Sequence, residues 1–197
     1  LINEYSLHKN KYIDVINGEL LYRDNIYEKK GRMKKILLEL EKYNSIIMSL
    51  GRAERYKNLD KTMFLGKKLG IKPVVITQQY FKRQPIVFEY KKIAEETNAI
   101  LYVDEPFSLP QYIVENYSKK MIMLIPSERE IFGLVINEMR RFNKDNVLIV
   151  ANSRGGLIEQ IDDGIDGVLV DLDDIEHSAK KISKYFDPKI MKKINQE

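Results

Sequence analysis

Cysteine is absent from all 197 residues, which removes disulfide scaffolds, thiolate metal sites, iron–sulfur clusters and a cysteine nucleophile, and leaves stability to packing. Histidine is scarce as well. His8 and His177 stand alone, and Asp171-x-Asp173 reads as a solvated turn after the last strand, so no metal set is expected. Long apolar runs are missing. Met121 to Ile125 and Val147 to Ala151 fall far short of the roughly 20 residues that cross a bilayer, and no charged-then-apolar leader opens the chain. Excess charge is small: 33 Lys and Arg against 29 Asp and Glu leave +4, which suits phosphates or an anionic lipid surface without demanding nucleic acid. No strand is followed by Gly-x-Gly-x-x-Gly, so the dinucleotide fingerprint of a dehydrogenase is lacking, and no aromatic-basic module for nucleic acid is present.

What is there is a well-charged globular composition, 44% hydrophobic and 31% charged, in a length that suits one generous domain. From about residue 28, short apolar runs alternate with longer amphipathic ones, the pattern of helices packed on a parallel sheet. The expected strands are Ser45 to Leu50, Pro73 to Thr77, Ala99 to Val103, Met121 to Ile125, Asn146 to Ala151 and Gly167 to Val170. They are apolar or β-branched almost throughout, as strands covered on both faces are. The expected helices are Lys30 to Lys42, Leu59 to Leu69, Val87 to Thr97, Pro110 to Ser118, Gly133 to Phe142, Gly156 to Ile161 and Ile175 to Tyr185. The fold class is therefore α/β, a single doubly wound, Rossmann-like parallel sheet. Lys29 to Lys35 and Lys189 to Lys193 read as solvated helix faces, with contact to an acidic membrane surface as the minor alternative.

Ligands of such sheets sit outside the carboxyl ends of the strands, where helix N-termini present free amides. Three loops there carry chemistry. Gly51 to Asn58 brings Arg52, a planar fork, and Lys57, a point charge, toward one anion such as a diphosphate. Pro126 to Gly133 and the helix after it place Glu130 and Glu138 eight residues apart, with helix-terminal amides between them. Carboxylates accept from sugar hydroxyls and amides face phosphate oxygens, so this loop fits a ligand with hydroxyls at both ends and negative charge in the middle. Asn152 to Glu159 contributes the Gly155-Gly156 pair, which allows close backbone approach.

In order and context these loops, with Asp163-Gly164-x-x-Gly167, resemble the C-terminal, donor-binding domain of GT-B glycosyltransferases of the family-four type over residues 45 to 186. The resemblance implies retaining transfer from a nucleoside-diphosphate sugar, with no cofactor beyond that donor and no catalytic metal. It implies that Arg52 and Lys57 neutralise the diphosphate leaving group, that Glu130 holds the sugar hydroxyls and that Glu138 binds the ribose. Phe132, Gly133 and Leu134, with Gly155 and Gly156, line the sugar-phosphate path, and Val103 borders the base. Three departures from the family pattern are Asn58 in place of a frequent glycine, no Gly-rich turn after Val75 to Thr77, and Met139-Arg140-Arg141 where small residues are usual.

The resemblance further implies a partner domain. Residues 1–27, with Tyr12 to Gly18, look like an arm or interdomain crossover, and 28–197 like the nucleotide-sugar-binding domain. The acceptor, whether glycan, lipid-linked or protein, belongs to an N-terminal GT-B domain. A chain that opens on Leu1 is expected to be part of a longer polypeptide. A cytoplasmic placement is expected, with peripheral contact at the inner face of a membrane. The alternative function is a noncatalytic GT-B-like accessory or scaffold domain.

Overall fold

The computed structural model describes residues 26–130, 133–142 and 145–194. The chain runs α1 (Ile26–Leu40), β1 (Ser45–Arg52), a 3-10 turn (Arg55–Lys57), α2 (Leu59–Leu69), β2 (Lys72–Gln78), α3 (Pro85–Thr97), β3 (Ile100–Val103), α4 (Leu109–Asn116) and β4 (Lys120–Ile125). It continues through α5 (Leu134–Phe142), β5 (Val147–Asn152), a second 3-10 turn (Gly155–Leu157), β6 (Val168–Val170), α6 (Ile175–Tyr185) and α7 (Pro188–Ile194). The six strands form one sheet in the order β3-β2-β1-β4-β5-β6, every pair parallel. The single doubly wound, Rossmann-like sheet expected from the sequence is the one observed.

Strand alternation sorts the apolar side chains into two faces. Ile46, Met48, Val74, Ile76, Met121, Met123, Val147 and Ile149 pack against Met33, Ile36 and Leu40 of α1, Ile113 of α4 and Ile136 of α5. On the opposite face, Ile47, Ile122, Leu124, Leu148 and Val150 meet Leu65 of α2, Ile182 of α6 and Met191 of α7. Val75 meets Met63 of α2 and Val87 and Tyr90 of α3. Both faces are covered, which is why the strands read as continuous apolar runs. Two buried hydroxyls lie in this core and satisfy each other: Thr62 Oγ1 on α2 donates to Ser49 Oγ on β1 at 2.9 Å.

The lysine faces behave as amphipathic helices should. Met33, Ile36 and Leu40 are buried while Lys30, Lys34 and Lys35 are exposed, and in α7 Met191 and Ile194 are buried while Lys189, Lys192 and Lys193 face outward.

Several boundaries move. β1 extends through Arg52, which pairs with Gln78, so Gly51 and Arg52 are strand residues rather than loop. α3 begins at Pro85, since proline suits the first helical turn. The helix expected over Gly156 to Ile161 is instead a single 3-10 turn over Gly155–Leu157. Paired glycines favour the turn, and the chain must then enter the bridge between Asp163 and Gly167 that leads into β6. Among the described residues no helix is long and apolar enough to cross a membrane. The expected crossover at Tyr12 to Gly18 lies outside the described residues.

Candidate functional site

β1 and β4 are hydrogen-bonded neighbours from which the sheet is wound in opposite directions, so their carboxyl ends flank the crevice where ligands of doubly wound sheets bind. After Arg52 the chain makes the Arg55–Lys57 turn and reaches Asn58 at φ 48. Asparagine tolerates this left-handed conformation, which explains how it stands in a glycine position. The loop after β4 is tied to that turn, because Glu128 N donates to Tyr56 O at 2.8 Å.

This stitching brings two of the expected residues into contact. Lys57 Nζ lies 2.7 Å from Glu130 Oε2, with side chains only 17% and 21% exposed. A charge-assisted bond of that length, partly shielded from water, is stronger than a surface ion pair. The third loop braces it from behind. Gly156 N donates to Glu130 O at 2.7 Å, and Gly155 sits at φ 57, where a Cβ would lie 2.8 Å from the same carbonyl oxygen. No side chain fits there. The brace is fixed in turn by the buried Asn152, whose Nδ2 donates to Ser127 O at 3.4 Å and whose Oδ1 accepts from Leu172 N at 3.3 Å.

Arg52 does not join the Lys57–Glu130 pair. Its side chain, 54% exposed, donates from Nη2 to Tyr56 Oη at 3.2 Å, bonds Tyr80 Oη through Nη1, and lies 3.6 Å from Glu54 Oε2. Lys57 Nζ lies 5.4 Å from the centroid of the Tyr56 ring, so the two cations border one aromatic ring. Sequence reading missed Glu54, Tyr56 and Tyr80. Their signal lies in register: Arg52 pairs with Gln78, and one further alternation along each segment sets Glu54 beside Tyr80.

The remaining expected residues are more dispersed. Gly133 is buried at φ 51, and a Cβ there would lie 3.3 Å from Gln160 Cγ and Leu157 Cδ2, so its turn is seated against the third loop. Phe132 lies outside the described residues, as does the side chain of Leu134. Val103 ends β3, two strands from β1 and therefore about 10 Å across the sheet, and is not brought against the Lys57–Glu130 pair. The residue after it is tightly held: Asp104, at φ 57, accepts from Gln79 N and Gln79 Nε2, both at 2.8 Å. Arg140, one of the departures from the family pattern, donates to Gln160 O at 2.6 Å and pairs with Asp166, tying α5 to the segment before β6. Asp171 and Asp173 are bound by Arg154 at 3.4 and 2.7 Å. Among the described residues no group of three or more His, Asp or Glu side chains is placed to hold a metal ion.

Glu138 lies four residues beyond the first residue of α5, just over one turn into the helix. Burial pushes its carboxyl above the ordinary glutamate range, and among the described residues it has no hydrogen-bond or ion-pair partner. The native state therefore holds this proton more tightly than the unfolded chain. That contribution is fully present below the ordinary glutamate value and is lost as pH rises through the raised one, so the ionised side chain is a net cost at neutral pH. Glu138→Gln is accordingly expected to raise stability at pH 7 and to leave it nearly unchanged at pH 4, as urea denaturation at the two pH values checks.

A family model described as glycosyl transferases group 1 matches residues 30–196. The chain belongs to that family. The chain is 29% identical over 185 residues to an uncharacterized 41.2 kDa protein in the cps region of Klebsiella pneumoniae, covering 92% of this chain and 46% of that protein. Its fold is similar to Anabaena HepE, solved in complex with UDP-glucose, at 16% identity and TM-score 0.66, covering 83% of this chain and 46% of the other. It is likewise similar to a UDP-forming α,α-trehalose-phosphate synthase from Burkholderia xenovorans, at 15% identity and TM-score 0.67, covering 82% and 41%. The chain thus spans less than half the length of these relatives and corresponds to the C-terminal half of the GT-B fold.

Proposed function

We propose that this chain is the donor-binding half of a glycosyltransferase that uses a nucleoside-diphosphate sugar with retention of anomeric configuration. The observation that carries the reading is the shielded Lys57–Glu130 pair at the crevice between β1 and β4. The solved complex of HepE with UDP-glucose supports a uridine nucleotide as the first donor to test.

The pair has a chemical logic. A diphosphate carries more negative charge than one carboxylate, so it competes for Lys57 and releases Glu130 to accept hydrogen bonds from sugar hydroxyls. Arg52 faces the same leaving group from the other side of Tyr56. Breaking the anomeric C–O bond builds charge on the departing diphosphate, and two fixed cations stabilise that charge more in the transition state than in the ground state. On this argument transfer needs no metal, because Arg52 and Lys57 supply the neutralisation. The carboxylate of Glu138 accepts from ribose hydroxyls, which offsets its desolvation. The amides of Gly133 and Leu134 and the Gly155-Gly156 turn line the phosphate path, and Val103 borders the base. The acceptor, a glycan, a lipid-linked sugar or a protein, is held by an N-terminal domain, and exposed lysines on α1 and α7 give the protein a peripheral hold on an anionic membrane.

A thermal-shift comparison of uridine, guanosine and adenosine diphosphates tests the reading. A ligand at a hundred times its Kd stabilises by about 2.7 kcal/mol, which moves Tm by roughly 5 °C or more in a chain of this size. One base is expected to give that shift. Silence across all three, in a folded sample, would instead favour a noncatalytic scaffold domain.

A further inference from the structure

We propose that Tyr80, backed by Glu54, is a positioning residue that holds the Arg52 guanidinium ready for the diphosphate; the inference rests on the donor-binding role proposed for Arg52. Tyr80 stands on the loop after β2, with the Arg52 Cζ atom 5.2 Å from its ring centroid. Its hydroxyl donates to Glu54 Oε1 at 2.7 Å, and Arg52 Nη1 bonds the same oxygen. Because the phenolic proton is committed to Glu54, only lone pairs are left to face the cation, and the direction of each bond is set.

Glu54 is well suited to anchor this chain of contacts. Its side chain is 19% exposed, and Oε2 is buried 3.6 Å from Arg52. Burial pushes its carboxyl up, but the hydroxyls of Tyr56 and Tyr80 and the charges of Arg52 and Lys57 outweigh that and hold it below the ordinary range. The carboxylate therefore stays ionised and keeps ordering the Tyr80 phenol.

The result is a clamp that leaves the working edge of Arg52 free. A guanidinium carries five N–H donors in a rigid fork, and the two tyrosyl oxygens engage one on each terminal nitrogen. Three donors are left for phosphate oxygens. An arginine already held in place surrenders little rotamer freedom when a ligand arrives, so the clamp contributes affinity through preorganisation.

Isothermal titration with UDP, across the wild type, Tyr80→Phe, Arg52→Ala and the double variant, tests the proposal. Tyr80 is exposed, and phenylalanine keeps its ring, so folding is expected to be unaffected. Losing one hydrogen bond to a charged group predicts a loss of about tenfold in UDP affinity for Tyr80→Phe, and no additional loss when Arg52 is already alanine. The Arg52 Nε–Hε resonance is expected to broaden in Tyr80→Phe, a signature that a purely structural tyrosine would not move. An equal loss in the Arg52→Ala background would overturn the proposal, since Tyr80 would then act by itself. So would a gain in affinity, which would make the clamp a competitor of the ligand. If Arg52→Ala leaves UDP binding intact, the fault lies in the donor role assigned to Arg52, and the clamp falls with it.

Discussion

Lys57→Ala is expected to weaken UDP binding by about ten- to a hundredfold in titration calorimetry, the equivalent of losing one charge-assisted hydrogen bond. The loss has two parts. The ammonium no longer meets the diphosphate, and Glu130, now without its partner at 2.7 Å, directs an uncompensated carboxylate toward the ligand. Pairing the substitution with Glu130→Gln removes the second part, so the double variant should bind UDP better than Lys57→Ala alone. Such non-additivity is the mark of two groups in direct contact. For a donor that keeps its sugar, Glu130→Gln should weaken UDP-glucose more than UDP, because the carboxylate is assigned to the sugar hydroxyls.

Gly155→Ala is expected to destabilise the chain by about 2–4 kcal/mol in urea denaturation, and to weaken nucleotide binding together with stability. Two costs combine. The residue sits at φ 57, where a side chain is strained, and its Cβ would lie 2.8 Å from the Glu130 carbonyl oxygen, a backbone atom that cannot swing aside. Relief of that contact displaces the loop that presents Glu130. Gly70 provides the control. It has φ 67 but open space where a Cβ would go, so Gly70→Ala should cost only about 1 kcal/mol and leave binding unchanged. The difference between the two isolates the contribution of the close approach.

The fold was legible because its strands are buried on both faces, and a run such as Met121 to Ile125 has little reading other than a core strand. Helix ends were less legible. Pro85 and Leu109 begin helices one or two residues before the positions chosen from periodicity, since first-turn prolines extend a helix N-terminally at little cost. The helix expected after Gly156 gives way for a tertiary reason: the chain has to close onto the Glu130 loop and then enter the Asp163–Gly167 bridge ahead of β6. At the site, Lys57 and Glu130 were readable as charged residues after strands, yet their contact depends on β1 and β4 being neighbours, which no local pattern states. Glu54, Tyr56 and Tyr80 escaped notice altogether. A carboxylate and two phenols beside a basic residue look like ordinary surface until the β1–β2 register brings them around one guanidinium.

The most direct measurement is a crystal structure of this chain with UDP. Diphosphate oxygens are expected within about 3 Å of Lys57 Nζ and of the Arg52 guanidinium, with Lys57 withdrawn from Glu130. A nucleotide bound elsewhere, with the Lys57–Glu130 pair still closed, would contradict this expectation.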